Sequence, residues 1–141
     1  AWLGFVFGVV VTIAVVTGAD QGGYIMFSAR PVMTVLVCLI KGTAAGYVAG
    51  LLYRAIGKKH PLAGVIVAAA AAPVVNTGLF VLAMVLFYQP QLQAWAGGTA
   101  VATYIVTTLV GVNFLLELGV NLVLSPTITR LIAAGKKGPV D

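Results

Sequence analysis

Long apolar stretches separated by short polar ones set the layout of this chain. Trp2 to about Val16 is apolar almost without a break, and so are about Val32–Ile56 and Leu62–Tyr88. A fourth apolar stretch lies within Val101–Ala134. A helix that crosses a bilayer needs about 20 residues, so each stretch reads as a transmembrane helix, the first a short one. The fourth is too long for one straight span. Residues 99–110 read as a separate outer segment with room for a short helix, and the span proper as about 112–132. Between the spans lie 17–30, with Asp20, Gln21, Gly22, Gly23 and Tyr24, the basic turn 57–61, and 89–98, with Pro90 and three glutamines. The pattern predicts one all-α integral membrane domain over 1–141. It is a bundle of four transmembrane helices with a short outer segment and outer loops at 17–30 and 89–111.

Composition supports a lipid environment. The chain is 61% hydrophobic and 8% charged, with a mean hydropathy of +1.10. Soluble domains carry about 25% charged residues. The net charge of +5 is local. Arg54, Lys58, Lys59 and His60 lie between the second and third spans, and Arg130, Lys136 and Lys137 lie at or after the end of the fourth. With four spans these groups share one side. The positive-inside rule makes that side the cytoplasm, which puts the C-terminus there and 17–30 and 89–98 outside. No basic face with interleaved aromatics suggests a nucleic-acid partner. The single cysteine, Cys38, reads as a small buried residue.

Small residues recur at helical spacing. Gly42, Gly46 and Gly50 are four apart, and Gly4 and Gly8 form a second pair. Such stripes let helix backbones approach closely, within the chain or against another membrane subunit. Pro73 lies mid-span and removes a backbone hydrogen bond. Asn76 and Thr77, one turn later, are placed to satisfy the groups it frees.

Ionisable groups inside a span are costly and read as functional by default. Lys41 lies in the second span and Glu117 in the fourth, where Asn113 and Asn121 flank it at i−4 and i+4 on one helix face. Counted at 1.5 Å per residue, Lys41, Asn76, Asn113, Glu117 and Asn121 converge in the outer half and middle of the membrane. That describes a polar cavity open to the outside, with Asp20, Gln21, Tyr24 and Arg30 of the outer loop placed to cover it. The competing reading is a structural Lys41–Glu117 ion pair. There is no metal-ligand cluster, nucleotide-binding loop or hydrolase motif. The expectation is a non-enzymatic protein without cofactor or metal, whose energy, if it transports, comes from elsewhere.

The residues also resemble a known family. The run LGFVFGVVVTIAVVTGAD is similar to the third helix of S components, the substrate-binding subunits of energy-coupling-factor (ECF) vitamin transporters. LIKGTAAGYVAGLLYRAIGKK resembles their fourth helix, PVVNTGLFVLAMVLFY their fifth, and VGVNFLLELGVNLVLSPTITRLI their sixth. The resemblance implies a six-helix fold of which this chain is the C-terminal two-thirds. It implies capture of a vitamin or precursor of the riboflavin, pantothenate or folate class. The implied partners are a transmembrane coupling subunit and two ATPase subunits. Lys41, Asn76, Asn113, Glu117 and Asn121 would line the pocket and 17–30 would help close it. The family's first two helices, with their alanine-rich docking motif, have no counterpart here. The other classes in play are a membrane assembly protein that binds no small molecule, and a self-sufficient transporter coupled to protons through Glu117.

Overall fold

A computed structural model describes the backbone of residues 1–135. It describes the side chains there except those of 108–110, 112, 113, 116, 117, 128, 131, 132 and 135. Lys136 and Lys137 lie outside the described residues. The regular elements of this range are all helices, joined by short turns: α1 (Trp2–Val16), α2 (Gln21–Ala29), α3 (Pro31–Ile56), α4 (Pro61–Phe87), α5 (Gln89–Ala96), α6 (Val101–Tyr104), a π-helical segment (Ile105–Val112) and α7 (Asn113–Gly135).

Local sequence sets the boundaries. Pro31 and Pro61 begin α3 and α4; a proline in the first turn lacks only an N–H that would have had no helical partner. Gly18 (φ +79) lies in the turn between α1 and α2, and Gly97 (φ +57) ends α5 in the left-handed region, where glycine avoids the Cβ clash.

Helices α3 and α4 are the long ones. Their 26 and 27 residues extend about 40 Å each, enough to cross a bilayer. Only 17% and 11% of their most apolar windows are buried within the chain. The remaining apolar surface faces outward, as a lipid-facing surface does and a water-facing one rarely does. Among the described residues, two helices are long and apolar enough to cross a membrane, or three if α1 and α2 form one bent span. The bend between α1 and α2 is 82°. In the expected fourth span, the apolar helical run among the described residues is Leu118–Thr127. An all-helical, membrane-type architecture is therefore present.

Both segments expected as outer loops are largely helical. In 17–30, Asp20 caps α2 by accepting the Gly23 N–H at 3.0 Å, and Met26 is buried. Gly22 and Gly23 read as loop signals in the sequence. Gly23 is instead a packing residue, since a Cβ there would collide with the Val15 side chain and lie 2.9 Å from the Asp20 carboxylate. In 89–111, Pro90 starts α5, and α6 runs into the π-segment. Leu92 of α5 is fully buried against Met26, Met84 and Tyr88.

The main helices pack in a row, α1 on α3, α3 on α4 and α4 on α7, with α2 laid across α1 and α3. The α1–α3 contact is a glycine seam. A Cβ on Gly42 would lie 2.6 Å from the Gly4 carbonyl oxygen, and one on Gly46 2.8 Å from the Gly4 Cα. A Cβ on Gly8 would lie 2.8 Å from the Cys38 carbonyl oxygen. Gly50, expected in the same stripe, has nothing within 4 Å of its Cβ position. Among the described residues the seam runs through Gly4, Gly8, Gly42 and Gly46.

Helices α3 and α4 keep a constant antiparallel register. Gly57 meets Gly64 at the turn, Lys41 lies over Phe80, and Thr34 bonds Tyr88 at the other end. This register sets Asn76 level with Ala45, about one turn nearer the basic turn than Lys41.

Candidate functional site

A cavity of about 800 Å³ lies between α1, α3 and α4, beneath α2 and beside α5 and α6. Each long helix contributes one face at helical spacing: Phe7, Val11 and Val15 from α1, Thr34, Val37, Cys38 and Lys41 from α3, and Asn76, Thr77 and Phe80 from α4. Asp20, Gln21, Gly22, Gly23, Ile25 and Met26 come from the start of α2, with Trp95 from α5 and Tyr104 from α6. The volume is in the range of small-molecule sites, about 300–1,000 Å³. The wall follows their usual form, apolar and aromatic with a few polar groups.

The polar groups differ in how far the protein has already committed them. Thr34 is buried (1% exposed). Its hydroxyl bonds the Arg30 carbonyl oxygen at 2.9 Å and shares a 2.7 Å hydrogen bond with the Tyr88 hydroxyl. Tyr88 is itself fully buried and reaches the same Arg30 carbonyl at 3.4 Å. These bonds tie the C-terminal end of α2 to the ends of α3 and α4. Asp20 uses one carboxylate oxygen to cap α2. The Lys41 ammonium stands 5.0 Å from the centroid of the Phe80 ring, a cation–π contact. The side-chain oxygen of Asn76 is buried in the wall. Among the described residues no three His, Cys, Asp or Glu side chains group together as a metal site would.

The expected site residues divide into three sets. Lys41 and Asn76 meet in the cavity, and Asp20 and Gln21 of the expected cover join them. Tyr24 and Arg30 are not in its wall. Tyr24 is 47% exposed, and Arg30 takes part through its backbone carbonyl, which accepts from Thr34 and Tyr88. The N-cap Asp20 and Gln21, Gly22, Gly23, Ile25 and Met26 of α2 border the cavity, and Tyr24 between them points to the surface. The side chains of Asn113 and Glu117 lie outside the described residues, and with them the proposed Lys41–Glu117 pair. Helix α7, which carries Glu117, packs on α4 and the π-segment, whereas α3 packs on α1, α2 and α4.

Asn121 is not in the wall of this cavity. Its amide donates to the Ala69 carbonyl oxygen at 3.3 Å. Ala69 is four residues before Pro73, so this carbonyl is the one that proline deprives of its helical partner. Lipid offers no water to replace the missing donor. A neighbouring helix supplies it, in place of Asn76 and Thr77 of α4 itself.

Sequence reasoning missed Thr34, Thr77, Phe80, Trp95 and Tyr104. A signal existed for some of them. Thr34 and Cys38 share the Lys41 face at seven and three residues before it, and Phe80 follows Asn76 by one turn. Nothing in the sequence pointed to Trp95 or Tyr104, which arrive from elements read as loop.

Comparison of the chain with protein-family models, with curated proteins and with solved structures gives no match.

Proposed function

We propose that this chain is a solute-binding membrane protein of the kind found in energy-coupling-factor importers, capturing a water-soluble vitamin or precursor of the riboflavin, pantothenate or folate class. One observation carries the reading. Lys41 and Asn76, a charge and an amide in the two long apolar helices α3 and α4, lie in one wall of a cavity of about 800 Å³. A charge held at such depth needs a reason to be there, and a polar guest supplies one. In this reading α7 completes four spans, the Gly57–Pro61 turn and the C-terminus are cytoplasmic, and the cavity opens outward beneath α2. The coupling subunit and two ATPase subunits supply the energy. Their assignment rests on the family resemblance of the four helical runs.

Native mass spectrometry of the protein purified with its membrane neighbours tests this reading directly. The expected result is a retained vitamin-sized molecule, lost in Lys41→Ala and in Glu117→Gln while the folded protein is recovered. An empty wild-type protein that brings down other membrane subunits favours an assembly role and sinks the solute-binding reading.

A further inference from the structure

We infer that the cavity takes a planar aromatic solute bearing a single carboxylate, the carboxylate on the Lys41 ammonium and the ring against Phe80, Trp95 and Tyr104. The inference rests on reading this cavity as a solute site and departs from the three vitamin classes named for it, since riboflavin carries no carboxylate, pantothenate no aromatic ring and folate two carboxylates. Lys41 lies in the cavity wall with Phe80 beneath its ammonium, and no carboxylate among the described residues forms an ion pair with it. A cation–π contact offsets part of the cost of keeping an ammonium from water, about 0.5–2 kcal/mol. The group still carries three hydrogen-bond donors and a full charge. A carboxylate guest satisfies both.

The rest of the wall limits the guest further. Asp20 stands in the same cavity, and the side chain of Arg30 is not part of it. A dianion such as a phosphate monoester would therefore meet one cation and one like charge, whereas a monoanion can sit at Lys41 away from Asp20. Aromatic side chains reach the space from α4, α5 and α6. Such side chains favour offset-stacked or edge-to-face contact with another ring.

Cys38 provides a readout at the site itself. It is the chain's one cysteine, it is buried, and it lines this cavity. Its rate of alkylation by N-ethylmaleimide in the detergent-solubilised full chain reports whether the cavity is filled. The probes are indole-3-acetate and naphthalene-2-carboxylate, their neutral amides, cyclohexaneacetate and phenyl phosphate. The acids are expected to protect Cys38 at concentrations about tenfold or more below those of the amides, the worth of one charge-assisted hydrogen bond. That preference disappears in Lys41→Met and survives in Lys41→Arg. The amides protect both variants as they do the wild type, which shows that the cavity is still formed. If the amides protect the wild type as well as the acids, the anion assignment falls and the solute-binding reading stands. Equal protection by cyclohexaneacetate overturns the aromatic part, and stronger protection by phenyl phosphate overturns the single charge. If no probe slows alkylation, both this inference and the solute-binding reading fall.

Discussion

The glycine seam between α1 and α3 allows a sharp test, because two glycines of one stripe have opposite surroundings. A Cβ on Gly42 would lie 2.6 Å from the Gly4 carbonyl oxygen and 3.0 Å from the Gly8 nitrogen and Cα. All three are backbone atoms that no rotamer change can move. A relaxed C···O contact is about 3.3 Å, so the helices would have to separate by about 0.7 Å. Overpacking of this kind costs about 1–3 kcal/mol. Eight residues along α3, a Cβ on Gly50 would meet nothing within 4 Å. There alanine gains the helix propensity that glycine lacks, about 0.5–1 kcal/mol. Gly42→Ala makes the same propensity gain, which cancels in the comparison, so it should be less stable than Gly50→Ala by the overpacking cost, about 1–3 kcal/mol. Unfolding in mixed micelles of increasing dodecyl sulfate content, followed by tryptophan fluorescence, measures the difference. The same separation moves Phe7, Val11 and Val15 of α1 away from the cavity, so Gly42→Ala should also weaken ligand retention. If Gly42→Ala unfolds at the same dodecyl sulfate fraction as Gly50→Ala, the seam is not the close contact described here.

Three further outcomes follow from the same geometry. Asn121→Ala should cost about 1–2 kcal/mol by leaving the Ala69 carbonyl without its donor. In a Pro73→Ala background the helix can supply that N–H itself, and a double-mutant cycle should return a coupling of about 1 kcal/mol; additive effects would refute the compensation. Tyr88→Phe removes the hydroxyl that joins Thr34 and the Arg30 carbonyl, and should destabilise by about 1 kcal/mol. Its signature is faster hydrogen exchange in α2 than in α3, and uniform exchange would argue against a tie at this point. For orientation, Gln93→Cys and Lys59→Cys in a Cys38→Ala background should label from opposite faces of intact cells, Gln93→Cys from outside. Reversed labelling would invert the proposed topology.

Sequence alone determined the all-helical, lipid-exposed character of the chain, because apolar runs of more than 20 residues have few other ways to satisfy their backbones. It also singled out Lys41 and Asn76, since a polar group in such a run is conspicuous wherever the helix points. What surrounds those groups was decided only by tertiary structure. Asn121 looks like a ligand residue by its spacing from Asn113 and Glu117, yet it answers a proline 48 residues earlier on another helix. Nothing local to either residue encodes that pairing. Gly50 matches Gly42 and Gly46 in spacing, but nothing among the described residues comes within 4 Å of its Cβ position, and spacing alone does not state which glycines of a stripe a neighbouring helix touches. Gly22 and Gly23 spell a loop by composition. The Asp20 cap and the crowding of Val15 against Gly23 make them the first turn of a helix that roofs the cavity. Trp95 and Tyr104 reach the site because α5 and α6 fold back over the ends of the long helices, a placement set by the burial of Leu92 and Tyr88 rather than by any local signal.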